Sequence, residues 1–88
     1  MVVKIYSIKN CQYCDVLKEV LTKSSIPYEE IKVNRMGEED EGISFSQYLE
    51  LEPNIPLIQR CAFPQVYIDE KYTGDIKSTL RYLQNANK

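Results

Sequence analysis

Val2-Val3-Lys4-Ile5-Tyr6-Ser7-Ile8-Lys9-Asn10-Cys11-Gln12-Tyr13-Cys14-Asp15-Val16-Leu17 is the stretch on which the fold turns. Val2 to Ile8 concentrates Val, Ile and Tyr, the β-branched and aromatic enrichment of a strand buried on both faces. After it, Val16, Leu17, Val20 and Leu21 recur at helical spacing through Lys23, and Asn10 stands where a helix cap is needed. The chain therefore reads as a strand that passes directly into a helix, with a Cys-x-x-Cys pair at the junction.

Working outward, Ser24 to Pro27 ends that helix, because proline supplies no N–H and pushes its predecessor out of helical geometry. Tyr28 to Val33, with Ile31 and Val33 in period two, is a second strand, and two strands joined by one helix over so short a span make a right-handed parallel crossover. Glu38-Glu39-Asp40-Glu41 is costly to bury and belongs in a solvated loop or a first helical turn. Ser44 caps a short second helix that turns Phe45, Tyr48 and Leu49 inward and stops at Pro53, and Asn54 to Ala62 reads as loop. Gln65 to Ile68 and Lys71 to Thr73 form an antiparallel hairpin around Asp69-Glu70, closed by Gly74. A last helix, from about Asp75 to Gln84, places Ile76, Leu80 and Leu83 on one face. The sum is one α/β domain over residues 1–88 in the order βαβαββα: a four-stranded mixed sheet flanked by three helices.

The whole-chain properties narrow the function classes. Eighty-eight residues bury only a little over 60% of their unfolded surface, which supports one compact core. With 43% hydrophobic and 27% charged residues the composition is that of a folded protein rather than a disordered one. A net charge of -2 without a basic run argues against nucleic acid or an acidic membrane surface as partner. No apolar run approaches the ~20 residues of a membrane-spanning helix, and the opening Met1-Val2-Val3-Lys4 lacks the basic start and long apolar core of an export signal. Three cysteines, at 11, 14 and 61, are an odd and sparse set, unlike the dense frameworks of small secreted domains. A reducing, cytoplasmic setting is the expectation.

Three cysteines scattered at random over such a chain yield some Cys-x-x-Cys pair roughly 7% of the time, so the spacing alone decides little. Its position adds the weight. At a helix start the first backbone N–H groups are unpaired and the helix dipole is positive, which favours an anion. A thiol of ordinary pKa is only about 3% thiolate at pH 7, and a drop to about 6 raises that population roughly thirtyfold, partly offset by weaker intrinsic nucleophilicity. Lys9 adds a nearby cation, and Asp15 opposes it. Cys11 sits at the exposed tip and Cys14 shares a helical face with Leu17 and Leu21, so Cys11 is the attacking thiol and Cys14 the resolving one. The competing zinc reading lacks ligands: the chain has no histidine and only one further cysteine. Cys61 is expected to be a small buried hydrophobe, with a regulatory or glutathionylated thiol as the alternative.

Cys11-Gln12-Tyr13-Cys14, Ile26-Pro27-Tyr28-Glu29-Glu30-Ile31, Phe63-Pro64-Gln65-Val66-Tyr67-Ile68 and Gly74-Asp75 together resemble the glutaredoxin branch of the thioredoxin-like fold, and short phage-type members above all. The resemblance covers nearly the whole chain. It implies a dithiol disulfide oxidoreductase that uses glutathione as co-substrate with no bound cofactor, acts as a monomer, and reduces glutathione mixed disulfides and disulfide-containing proteins such as ribonucleotide reductase. It further implies that Pro64 is a cis proline facing the active-site disulfide, that the backbone of Phe63 pairs with glutathione, that Tyr13 borders the glutathione groove, and that Lys9 meets a glutathione carboxylate. Gly74 and Asp75 complete the implied glutathione contacts, Asp75 as a substitute, one position earlier, for the aspartate that grips the glutamyl end. The sequence departs from the family pattern in three places: Gln12 replaces the commoner proline, Thr73-Gly74 replaces a Gly-Gly pair, and Ile76-Lys77 replaces the usual Ser/Thr-Asp. Two other readings stay open, a thioredoxin-like reductant served by a flavin reductase and a non-catalytic module holding a [2Fe–2S] cluster through Cys11 and glutathione.

Overall fold

A computed structural model of the chain describes residues 1–35, 37 and 41–86. Its elements are β1 (Val3–Ser7), α1 (Gln12–Lys23), β2 (Tyr28–Asn34), β3 (Ile43–Ser44), α2 (Phe45–Glu50), α3 (Leu57–Arg60), β4 (Gln65–Ile68), β5 (Lys71–Gly74) and α4 (Ile76–Ala86). The strands form one sheet in the order β3-β2-β1-β4-β5. β1 lies at its centre, parallel to β2 with Ile5 opposite Glu30, and antiparallel to β4 with Ile5 opposite Val66.

The period-two alternation of β1 sends Val3 and Ile5 to one face of the sheet and Tyr6 to the other. On the first face Leu17 and Leu21 of α1 and Leu83 of α4 close over Val3, Ile5, Val66 and Ile68. On the second, Tyr48 of α2 packs with Tyr6 and Val33, and Phe63 joins the edge of that cluster. Helices on both faces of a mixed sheet are what the element order called for.

Local chemistry accounts for the joints. Ser44 and Gln47 form a reciprocal capping box at the start of α2, each side chain paired with the other's backbone. Asp69 and Glu70 both take left-handed backbone, with φ of 52° and 68°, as a two-residue turn between twisted antiparallel strands requires. Asp69 also fastens the hairpin to the sheet, its carboxylate accepting from the N–H of Val2 at 2.8 Å. At Gly42, with φ of +122°, a Cβ would stand 2.0 Å from the carbonyl oxygen of Lys32, so no side chain fits there.

The architecture matches expectation, and four details differ. The sheet has five strands rather than four, because Ile43–Ser44 pairs with Val33 and Asn34 over two residues, too short a run to show alternation. A fourth helix, α3, occupies part of Asn54–Ala62, which read as loop. Pro56 opens it with φ of -54°, needing no N–H there, and its Leu57 and Ile58 are exposed, so no buried stripe announced it. Asn10 does not cap α1 but takes left-handed backbone with φ of 60°, leaving the cap to Cys11. The last helix begins at Ile76, with Asp75 just outside it. The acidic residues Glu38, Glu39 and Asp40 lie outside the described residues, and Glu41 is exposed.

Candidate active site

The turn out of β1 delivers Cys11 to the cap position of α1. The cap carries extended backbone, φ -101° and ψ 106°, and Cys11 Sγ accepts the backbone N–H of Cys14 at 3.1 Å. A sulfur so placed meets an unpaired helix N–H and the positive end of the dipole, the arrangement that stabilises a thiolate when the pair is reduced. Cys11 and Cys14 are joined as a disulfide with Cα atoms 5.3 Å apart.

The two sulfurs differ in access. Cys11 is half-buried at the surface, whereas Cys14 is 1% exposed, on the helix face that carries Leu17 and Leu21. An incoming disulfide reaches Cys11, and only a bond already made at Cys11 comes within reach of Cys14. That difference in access is set by one helical turn.

Cys11 opens into a groove of about 550 Å³. Tyr13, Phe63 and Asp75 line it. Pro64 is buried beside Phe63, and the bond between them is cis. Gly74 is buried with φ of +107° and does not line the groove. Lys9 is exposed outside the lining, its backbone carbonyl accepting from the Arg35 guanidinium at 3.4 Å. Asp75 has a structural duty as well, since its carboxylate accepts the N–H of Ser78 at 3.0 Å and caps α4. Among the described residues that line the groove there is no Lys or Arg.

Gln12, Cys61 and Ala62 also line the groove, and sequence reasoning did not place them there. Cys61 and Ala62 lead directly into Phe63-Pro64, and that adjacency was the available signal. The expectation that Cys61 is a buried hydrophobe is wrong: the thiol is free and exposed. Its neighbour Arg60 takes the inward position on α3, 1% exposed, and Cys61, at the C-cap of that helix, is left at the surface. A second cavity, of about 280 Å³, is lined by Lys4, Tyr6, Tyr67 and Glu70, with no thiol in its lining.

Comparison with known proteins agrees with this geometry. The family model for Glutaredoxin matches residues 3–73. Glutaredoxin 1 of Rickettsia bellii (strain RML369-C) is 33% identical over 70 residues, covering 80% of this chain and 64% of that protein, so the match spans less than two thirds of the relative's length. The crystal structure of glutaredoxin 1 from Francisella tularensis, complexed with cacodylate, superimposes with a TM-score of 0.68 over 99% of this chain and 98% of that one, at 22% identity. That last likeness speaks to the fold, whereas the family model reaches from β1 across the cysteine pair and the Phe63–Pro64 bond into β5, and on it the chain belongs to the glutaredoxin family.

Proposed function

We propose that the protein is a glutathione-linked thiol–disulfide oxidoreductase, working as a single-domain monomer in the cytoplasm. The observation that carries this is the pairing of an accessible Cys11 sulfur at a helix start with a buried Cys14 one turn behind it. Cys11 thiolate attacks the disulfide of a substrate, forms a mixed disulfide at its own sulfur and releases the first substrate thiolate. With a protein disulfide, Cys14 thiolate then attacks Cys11 Sγ, releasing the second substrate thiolate and closing the Cys11–Cys14 bond. Two glutathione thiols reopen that bond, becoming glutathione disulfide, so two electrons pass from glutathione to substrate. With a glutathione mixed disulfide, a second glutathione thiolate takes the glutathione from Cys11 directly, and Cys14 is not required.

Tyr13, Phe63 and Asp75 share the groove with Cys11, which supports a peptide thiol bound alongside the reacting sulfur. Of the glutathione contacts that the family resemblance implies, we assign Tyr13, Phe63 and Asp75 from the groove lining, while Lys9, Pro64 and Gly74, outside that lining, rest on the resemblance alone, as does ribonucleotide reductase among the protein substrates. A groove whose described lining holds no cation suits a tripeptide with two carboxylates less well than the family pattern does, and this favours testing a flavin-dependent thioredoxin reductase as the rival electron source. The experiment is a coupled reductase assay supplied with either system. Turnover with glutathione, abolished in Cys11→Ser, is the expected result. Cys14→Ser should keep activity on glutathione mixed disulfides and lose most of it on protein disulfides. Activity surviving in Cys11→Ser would sink the assignment, and turnover with thioredoxin reductase alone would replace glutathione as the reductant.

A further inference from the structure

Cys61, Ala62 and Phe63 form one wall of the groove, and they follow a four-residue helix too short to hold itself in place. Two buried polar side chains from outside the groove fasten this segment. Gln65, fully buried, donates both amide hydrogens backward, to the carbonyls of Gln59 at 3.1 Å and Ala62 at 2.6 Å, and its own amide oxygen accepts the hydroxyl of Tyr72. All its hydrogen-bonding capacity on the donor side is spent on the wall.

Arg60 makes the second fastening. Its guanidinium donates to the carbonyl of Tyr48 at 2.9 Å and stacks 3.9 Å from the centre of the Tyr48 ring, while the Tyr48 hydroxyl returns a 2.7 Å bond to the Arg60 carbonyl. Nε and Nη1 of this buried group have no hydrogen-bond partner, and the rings of Tyr48 and Tyr72 are the groups stacked near it. The Tyr48 ring also packs against Phe63, with centroids 5.1 Å apart. A buried cation is a costly way to anchor a short helix where an apolar side chain would bury more easily. What the guanidinium adds is direction: the reciprocal bonds with Tyr48 fix α3 against α2, and through the Tyr48 ring they fix Phe63.

We infer that Arg60 and Gln65 are positioning residues that set the groove's affinity for its substrate without touching it. The inference deepens the proposed exchange activity and rests on it for its kinetic consequence. An ordered wall raises affinity by sparing the bound complex the entropy of ordering Cys61 to Phe63. The chemistry at Cys11, held by α1 instead, is independent of it.

The test uses Gln65→Met and Arg60→Met, with Tyr72→Phe as a gentler variant that removes only the hydroxyl orienting Gln65, and Arg60→Lys as the conservative rescue. With a glutathionylated peptide as substrate, KM should rise about tenfold in the Met variants, the scale set by one or two lost hydrogen bonds, with kcat within about twofold of wild type. Arg60→Lys should recover part of the loss. Independently of any substrate, the backbone amides of Arg60, Cys61 and Ala62 should exchange with solvent about tenfold faster, while those of Leu17 and Leu21 stay as protected as before. A wild type that does not turn over glutathionylated peptide defeats the proposed function, and amide exchange then decides the inference alone. Unchanged protection at residues 60–62, or an unchanged KM in a protein whose wild type turns over, overturns the inference.

Discussion

Two residues separate Cys11, the cap of α1, from Cys14 in its first turn, and that rotation makes one sulfur a surface group and the other part of the core beside Leu17. The residue before them matters as much. Asn10 adopts left-handed backbone, which asparagine tolerates better than other side chains bearing a Cβ, and this bends the chain so that Cys11 rather than Asn10 caps α1. Cys61 reaches the same groove from a different part of the chain, exposed at the C-cap of α3 beside the buried Arg60. The three thiols should therefore be distinguishable by alkylation followed by mass spectrometry. Oxidised protein should take up iodoacetamide at Cys61 alone, since the disulfide protects the others. Reduced protein should label Cys11 and Cys61 readily and Cys14 more than about tenfold more slowly, because burial shields that thiol from the reagent. Fast labelling of Cys14 would remove the basis for separating the two roles.

Helix α1 is locked to the sheet by a polar strut beneath the site. Lys18 Nζ lies 2.9 Å from Glu30 Oε2 on β2, and the same oxygen accepts the hydroxyl of Ser7, at the end of β1, at 2.8 Å. Asp15 approaches Lys18 at 3.4 Å. Burial pushes the Glu30 carboxyl up, but hydrogen bonds from Lys18 and Ser7, with the charges of Lys18 and Lys32, outweigh it and hold the group below the usual carboxylate range. Lys18 is raised above 10.5, chiefly by its hydrogen bond to Glu30 and against the cost of burial. A depressed carboxylate contributes stability above its unfolded pKa near 4.5 and loses it as pH falls through the folded value. A raised lysine contributes below 10.5 and loses it as pH rises through the folded value. The strut thus acts fully between these limits, and with both side chains about a quarter exposed it contributes about 1 kcal/mol. Glu30→Gln should lower unfolding free energy by about that much at pH 7, and the difference from wild type should shrink below pH 4.5. Denaturant titrations at pH 7 and pH 3 check this, and a difference that grows on acidification would refute it.

Across the whole molecule, β1 is the hinge of both cores, paired on one edge with the crossover strand β2 and on the other with the hairpin strand β4. Ile5, fully buried at its middle, touches the cluster that seats α1 and α4. Ile5→Ala should cost about 3 kcal/mol, from lost transfer energy and the cavity left behind. For a domain of this size that corresponds to a fall in Tm of roughly 12–24 °C, measurable by thermal unfolding. The loss should be cooperative, because the same strand leads into the turn that carries Cys11 and backs Phe63 through the Tyr6 and Tyr48 cluster. A shift under about 4 °C would mean that the two cores are not coupled through β1.

How much of this was legible beforehand follows from the range of each interaction. The strand-to-helix passage at Val2–Leu17, the crossover, the Ser44 cap and the Asp69-Glu70 turn are written in neighbouring residues, since periodicity, caps and turn chemistry act over a few positions. By those rules alone the sequence determined the order of the main elements, though not β3 or α3, and the place of Cys11 and Cys14 at a helix start. Tertiary structure alone decided that Phe63 and Asp75 share a groove with Cys11, that Cys61 faces outward into it, and that Arg60 is buried as a cation against Tyr48. Residues more than 50 positions apart meet only through sheet register and helix packing. An arginine is buried only where distant rings and carbonyls happen to converge, which no local pattern of apolar residues records.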